Sequence, residues 1–241
     1  MNILTVESYE QMSDRASELV LEQVREKPNC VLGLATGSTP VGTYERLAAA
    51  YQQEKISFAA CKSINLDEYL GLGAEDEASY RHFMQENLFA HIDICAENTY
   101  LPDGKNQNVD EVCAAYDQLI ADIGPIDLQI LGIGTNGHIA FNEPDDHFVA
   151  GTHLVDLTED TIEANQRFFS NRDEVPKQAY TMGMAAILRA KRILLLVSGE
   201  QKAEALYETL NGPITPQMPA SILQLHDNVT VIADKEALGK F

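Results

Sequence analysis

Short apolar runs that read as strands alternate along this chain with longer segments of helical period, and that alternation limits the architecture more than any other feature. Met12, Ala16, Leu19, Val20 and Val24 recur at helical spacing, and CVLGLA (30–35) then reads as a buried strand. TGSTP leads into the helical YERLAAAYQQE, with Thr39 predicted as the N-cap and Pro40 in the first turn. KSINLD (62–67) reads as a strand, SYRHFMQENLF (79–89) and VDEVCAAYDQLIADI (109–123) as helices, and IDLQILGIG (126–134) as a strand running into a glycine-rich loop. MGMAAILRA and EQKAEALYETL (200–210) are helical in pattern, and RILLLVS (192–198) and NVTVIAD (228–234) are strand-like. Residues 144–178 have a mixed pattern that fits neither period. Alternation of this kind predicts an α/β fold, a parallel sheet with helices on both faces. No repeat or linker divides the chain, so one domain over residues 1–241 is expected.

In such sheets ligands bind beyond the carboxyl ends of the strands. The residues to weigh are therefore the polar ones that follow each strand. Thr36, Gly37, Ser38 and Thr39 form a small-residue loop between a strand and a helix, where free backbone N–H groups and the helix dipole suit a phosphate. An ordinary tight turn would have the same sequence. GIGTNG (132–137) matches a dinucleotide fingerprint in form, but HIAFNEPDD follows, and Pro144 stops the long helix that fingerprint must open. His138 and Glu143 lie five residues apart on this loop. A carboxylate against one imidazole nitrogen fixes the tautomer and makes the other nitrogen a proton carrier. With no nucleophile elbow in the chain, the pair suits proton transfer over acyl transfer; it could equally serve only to bond its own loop. Asp67 ends a strand among apolar residues, where burial would raise its pKa and make it a better base, although a turn aspartate looks the same. Arg167 and Lys202 are surface charges or phosphate clamps.

Composition narrows the partners. The net charge is −20 and residues 106–166 contain no Lys or Arg, which argues against nucleic acid as a partner. An anion bound near that stretch must be met by backbone amides or by cations from elsewhere in the chain. The four cysteines are widely spaced and no second histidine stands at ligand spacing from His138, so neither a disulfide set, a metal nor any other cofactor is expected. The N-terminus lacks a basic region before an apolar core, and no apolar run approaches ~18 residues. A cytoplasmic protein away from membranes is expected.

LGLATGSTPVGTY, INLDEYLGL, SYRHFMQENLF, LGIGTNGHIAFNEP, ANQRFF and SGEQKAEAL occur in this order over nearly the whole chain. Together they resemble the glucosamine-6-phosphate deaminase (isomerase) family. The resemblance implies a modified Rossmann-like three-layer α/β sandwich with a mostly parallel sheet, and conversion of glucosamine 6-phosphate to fructose 6-phosphate and ammonia. It further implies that Asp67 takes the C2 proton, that His138 opens the sugar ring with Glu143 as its carboxylate partner, and that Thr36, Gly37, Ser38, Thr39, Arg167 and Lys202 hold the phosphate. Asn136 stands where many members carry an aspartate; an amide can orient a neighbour but cannot hold charge.

Longer hexameric relatives carry an activator site built partly from basic residues in an interval that here has neither Lys nor Arg, and this chain stops at Phe241. A non-allosteric monomer is therefore expected, with a lid over the sugar formed within 144–178. The competing enzyme is 6-phosphogluconolactonase, which resembles this chain through a related glycine-rich segment but has no use for Asp67 as a carbon base. A sugar-phosphate-sensing domain would instead come with a helix-turn-helix and a basic face, and this sequence has neither.

Overall fold

The computed structural model describes residues 1–241 apart from Arg167, Phe168, Ser170 and the side chain of Ala164. Strands β1 (Asn2–Val6), β2 (Val31–Leu34), β3 (Lys62–Asn65), β5 (Thr99–Tyr100), β6 (Leu128–Leu131), β9 (Ile193–Val197) and β10 (Val229–Asp234) form one seven-stranded sheet. Its order is β1-β10-β9-β6-β2-β3-β5, and every pairing is parallel. Helices cover both of its faces, as a parallel sheet requires. β6 and β9 are buried along their whole length, which is why LQIL and ILLLV read as near-continuous apolar runs. The outer strand β1 is largely exposed, so its five residues carry no such signal.

Chain order reverses between β2 and β6. From β2 the sheet grows through β3 to β5, and from β6 it grows the other way through β9 and β10 to β1. At such a reversal the loops leaving the two strands diverge and open a crevice at their carboxyl ends. Those two loops are ATGST and GIGTNGH.

The helices follow the sequence pattern with adjusted ends. α1 (Tyr9–Glu26) starts at Ser8, whose hydroxyl accepts the Gln11 N–H. α2 (Val41–Gln52) has Pro40 at its N-cap with no capping side chain, so the expected Thr39 cap is not formed. α3 (Tyr80–Asn87) is capped by Ser79, and α4 (Val109–Ile123) by Asn108 and closed by Gly124 at φ 96°. α5 (Glu159–Asn165) begins at Thr158. α6 (Met184–Leu188) is shorter than its pattern, and α7 (Ala203–Asn211) follows a 3-10 turn at Glu200–Lys202.

A second, three-stranded antiparallel sheet has no counterpart in the sequence reading. β4 (Asp67–Tyr69) pairs with β8 (Gln178–Thr181), which pairs with β7 (His153–Asp156). The mixed stretch 144–178 is thus partly regular: it supplies β7, α5 and the start of β8. Beneath this sheet Tyr69, Tyr80, Phe141, Leu157, Ile162, Val175 and Ala179 form a small apolar cluster of their own. The sheet's role is to seat Asp67 and the Phe141 segment at the mouth of the crevice. Asp67 pairs with Thr181, whose hydroxyl accepts the Phe141 N–H at 3.0 Å. Asn142 donates to the carbonyls of Ile139 and Met182, fastening the loop to the same strand.

Candidate active site

A cleft of about 690 Å³ opens at the carboxyl ends of β2, β3 and β6. Thr36, Gly37, Ser38, Thr39, Asp67, Asn136, His138 and Lys202 all line it, so residues from four separate motifs converge as expected. Glu143 stands behind His138 and does not line the cleft. Arg167 lies outside the described residues.

The ATGST loop turns at Gly37, where φ of 84° suits glycine. Tyr9 of α1 pins it: its hydroxyl donates to the Ser38 carbonyl at 3.0 Å and accepts the Gly42 N–H at 2.9 Å. Lys202 approaches from the loop after β9, beside Ser198 and Gln201. That loop is held by the buried Asp234, which accepts from the Ser198 hydroxyl at 2.5 Å and from the Gly199 N–H at 3.1 Å. The result is a small-residue loop at a helix start facing a lysine, a set of donors suited to a phosphate dianion.

The His138 imidazole lies flat over Gly134, where even a methyl group would come within 2.4 Å of the ring. Gly137, at φ 86°, leaves space for Met218. These glycines serve the close approach of the imidazole and of Met218. His138 Nδ1 is 3.3 Å from Glu143 Oε2, within ion-pair reach when the ring is protonated but without the alignment of a directed hydrogen bond. Glu143 is also held from two other sides. Asn136 Nδ2 donates to Oε2 at 2.7 Å, and the Thr161 hydroxyl of α5 donates to Oε1. Burial pushes the Glu143 carboxyl up, but His138, Thr161 and Asn136 together hold it below the ordinary carboxylate value. Asn136 also accepts the His138 backbone N–H at 3.2 Å, so its amide bridges the two residues.

Asp67 lines the same cleft. It is 5% exposed, and no group among the described residues donates to its carboxylate. Burial pushes its pKa well up, and the adjacent Glu68 adds to the effect. Glu68 is buried as well, but it accepts the N–H groups of Tyr69, Tyr80 and Arg81, each at 2.9 Å, and so seats the start of α3. Its carboxyl is pushed up to about 7 by burial, against the pull of those bonds.

Tyr9, Tyr80, Asp160, Thr161 and Asn165 also line the cleft, and sequence reasoning picked out none of them. They arrive from α1, α3 and α5, far from the motifs in sequence, and no local pattern marks them. Among the described residues, the three metal-ligand side chains close enough to share an ion are Asp145, Asp146 and His147, all exposed. No helix among the described residues is long and apolar enough to cross a membrane.

An imidazole–carboxylate pair, a buried carboxylate and a small-residue loop at a helix start thus share one crevice of a Rossmann-like α/β fold. The chain matches the model of the glucosamine-6-phosphate isomerases/6-phosphogluconolactonase family over residues 5–232, and it belongs to that family. Within the family it is 51% identical to the glucosamine-6-phosphate deaminase of Clostridium novyi over the full length of both chains. It is 52% identical to that of Shouchella clausii, covering 100% of this chain and 98% of the relative. Among solved structures, a monomeric glucosamine-6-phosphate deaminase superposes with a TM-score of 0.97 at 46% identity over 99% of both chains. The 6-phosphogluconolactonase of Thermotoga maritima superposes at 0.74 with 22% identity, over 97% of this chain and 98% of that one, a likeness of fold alone.

Proposed function

We propose that this chain is an isomerising deaminase that converts glucosamine 6-phosphate and water to fructose 6-phosphate and ammonia. The observation that carries the reading is the presence of two unlike acid–base groups in one cleft: an imidazole set against the Glu143 carboxylate, and a buried carboxylate that no group among the described residues donates to. A lactonase needs a base for water and has no task for the second group.

Thr36, Gly37, Ser38, Thr39 and Lys202 hold the phosphate, and Arg167 adds a second cation. His138, oriented by Glu143, moves a proton between O5 and O1 and opens the pyranose ring. Glu143 supplies the negative charge that faces the ring, and Asn136 fixes Glu143 without adding charge. Asp67 then removes the C2 proton and delivers it to C1. Its raised pKa favours this: a carboxylate held above its ordinary value binds the carbon-derived proton more tightly and returns it to the neighbouring carbon. The enolamine formed on the way becomes an imine, water adds at C2, and ammonia leaves. Each of these steps moves only protons, the water that adds at C2 and the ammonia released as the C2–N bond breaks.

Several further features belong to this reading. The chain works as a single domain, as a monomer like its structural relative, in the cytoplasm, and without activation by N-acetylglucosamine 6-phosphate. The part of 144–178 that contains α5 forms a lid, since Asp160, Thr161 and Asn165 of that helix line the cleft. The deciding assay is release of ammonia from glucosamine 6-phosphate set against hydrolysis of 6-phosphogluconolactone. The deaminase reading expects the first and none of the second; lactone turnover without ammonia release would overturn it.

A further inference from the structure

The hydroxyl of Thr161 occupies a position that the reaction described above leaves without a task. Thr161 is 3% exposed, lies in the first turn of α5 and reaches the Glu143 carboxylate 18 residues back along the chain. The direction of its proton is set locally. Thr158, the N-cap of α5, donates its hydroxyl proton to the Thr161 oxygen at 3.1 Å and accepts the Thr161 N–H at 3.4 Å. With its oxygen already accepting from Thr158, Thr161 has its own proton free to donate, and an ionised carboxylate can only accept. The chain of hydroxyls therefore runs one way, from Thr158 through Thr161 to Oε1 of Glu143. Oε2 meanwhile takes the Asn136 amide and faces His138.

This arrangement fixes the carboxylate plane. Asn136 alone would hold one oxygen and leave the group free to rotate about its terminal bond. The bond from Thr161 to the other oxygen removes that rotation. It also ties the carboxylate to the helix whose Asp160 and Asn165 line the cleft. We infer that Thr161 is a positioning residue for the Glu143–His138 pair, which assembles fully only when the first turn of α5 is seated. The inference rests on the proposed role of that pair in ring opening.

The test compares Thr161→Val, which keeps the shape and removes the hydroxyl, with Thr161→Ser, which keeps the hydroxyl and removes a methyl group. Ammonia release from glucosamine 6-phosphate gives kcat and KM for each, and thermal unfolding reports folding. The inference expects Thr161→Val to lower kcat about tenfold or more, the scale on which misplaced groups lose rate, with KM changed far less. Thr161→Ser should restore most of that loss. Equal kcat in the Val variant and wild type, or equal losses in Val and Ser, would overturn it, the latter showing that the methyl group's packing is what counts. Glu143→Gln and His138→Gln run beside them to separate the two levels. Full turnover in those variants defeats the ring-opening role itself, whereas their loss with an unaffected Val variant defeats only the role of Thr161.

Discussion

Asp67 lies just past the carboxyl end of β3 and Asp127 just before the amino end of β6, 5% and 3% exposed, and their surroundings treat them in opposite ways. Asp127 precedes β6 at the amino end. Lys27 reaches one oxygen at 2.7 Å and Lys191 the other at 2.8 Å, and the Val31 N–H adds a third bond at 2.9 Å. Burial alone would push its carboxyl up, but these partners hold it below the ordinary value. Asp67, beyond β3 at the carboxyl end, has no such partner among the described residues and has Glu68 beside it, so its pKa goes up. One carboxylate is solved for stability and the other is left unsolved where the cleft opens. A buried carboxylate thus reveals its task through its partners, since burial itself is common to both.

The sharpest way to break this contrast is to replace each acid by its amide. Asp67→Asn should lower kcat by about 10²–10⁴-fold, the usual scale of a lost general base. It should leave Tm unchanged or raise it, by roughly 2–4 °C for each kcal/mol of relieved burial. Asp127→Asn should do the reverse. It should cost about 2 kcal/mol of stability through weakened bonds to the Val31 amide and two half-exposed lysines, with kcat and KM close to wild type. Urea unfolding and steady-state kinetics on both variants check the pair together.

Their pH dependences should also oppose each other. The raised pKa of Asp67 means that the folded state binds its proton more tightly than the unfolded chain does. Its contribution to stability is therefore complete below the unfolded value and is lost as pH rises through the folded value. Asp127 is depressed, so its contribution is present above the unfolded value and is lost as pH falls through the folded one. Asp67→Asn should flatten the decline of stability as pH rises above the ordinary aspartate range, and Asp127→Asn the decline as pH falls through and below it, as measured by Tm against pH. In activity, the acid limb of kcat/KM should lie above the ordinary aspartate range, with the rate rising as Asp67 ionises.

A smaller effect is expected at Asn136. Its amide donates to Glu143 at 2.7 Å, so Asn136→Asp would set two carboxylates at that separation, and one of them would take up a proton. The expected outcome is no gain and a loss of several-fold at neutral pH. A large gain in the pH–rate profile would show that Glu143 does not suffice as the charge on His138. Smallest of all, N-acetylglucosamine 6-phosphate should leave the substrate saturation curve hyperbolic and unshifted; sigmoidal kinetics relieved by that compound would contradict the monomeric, unregulated account.

The parallel core was legible in the sequence because strands covered on both faces must be apolar throughout, as CVLGLA and RILLLVS are. The edge strand β1 and the small antiparallel sheet were not: β1 and β7 are largely uncovered, β4 is three residues long and begins with two acids, and strands so short leave no period to read. The site divided along the same line. Residues that follow core strands, such as Ser38, Asp67 and His138, were placed by position alone. The link from Thr161 to Glu143 and the pin from Tyr9 to Ser38 depend on how α5 and α1 pack, over separations of 18 and 29 residues. Such pairings belong to tertiary structure, and no local pattern encodes them. Thr39 shows the converse: a good capping residue by type, it is passed over because the helix starts after Pro40.

The central claim is that Asp67 carries a proton between carbon atoms, and hydrogen exchange with solvent tests it most directly. In deuterium oxide the wild-type protein, given glucosamine 6-phosphate, should form fructose 6-phosphate bearing deuterium at C1 in those turnovers where the proton held on Asp67 exchanges with solvent before it reaches C1, as followed by proton NMR. Asp67→Asn, saturated with the same sugar phosphate, should introduce no deuterium at C1 or C2 on the same timescale. Deuterium entering at the wild-type rate in Asp67→Asn would contradict the account.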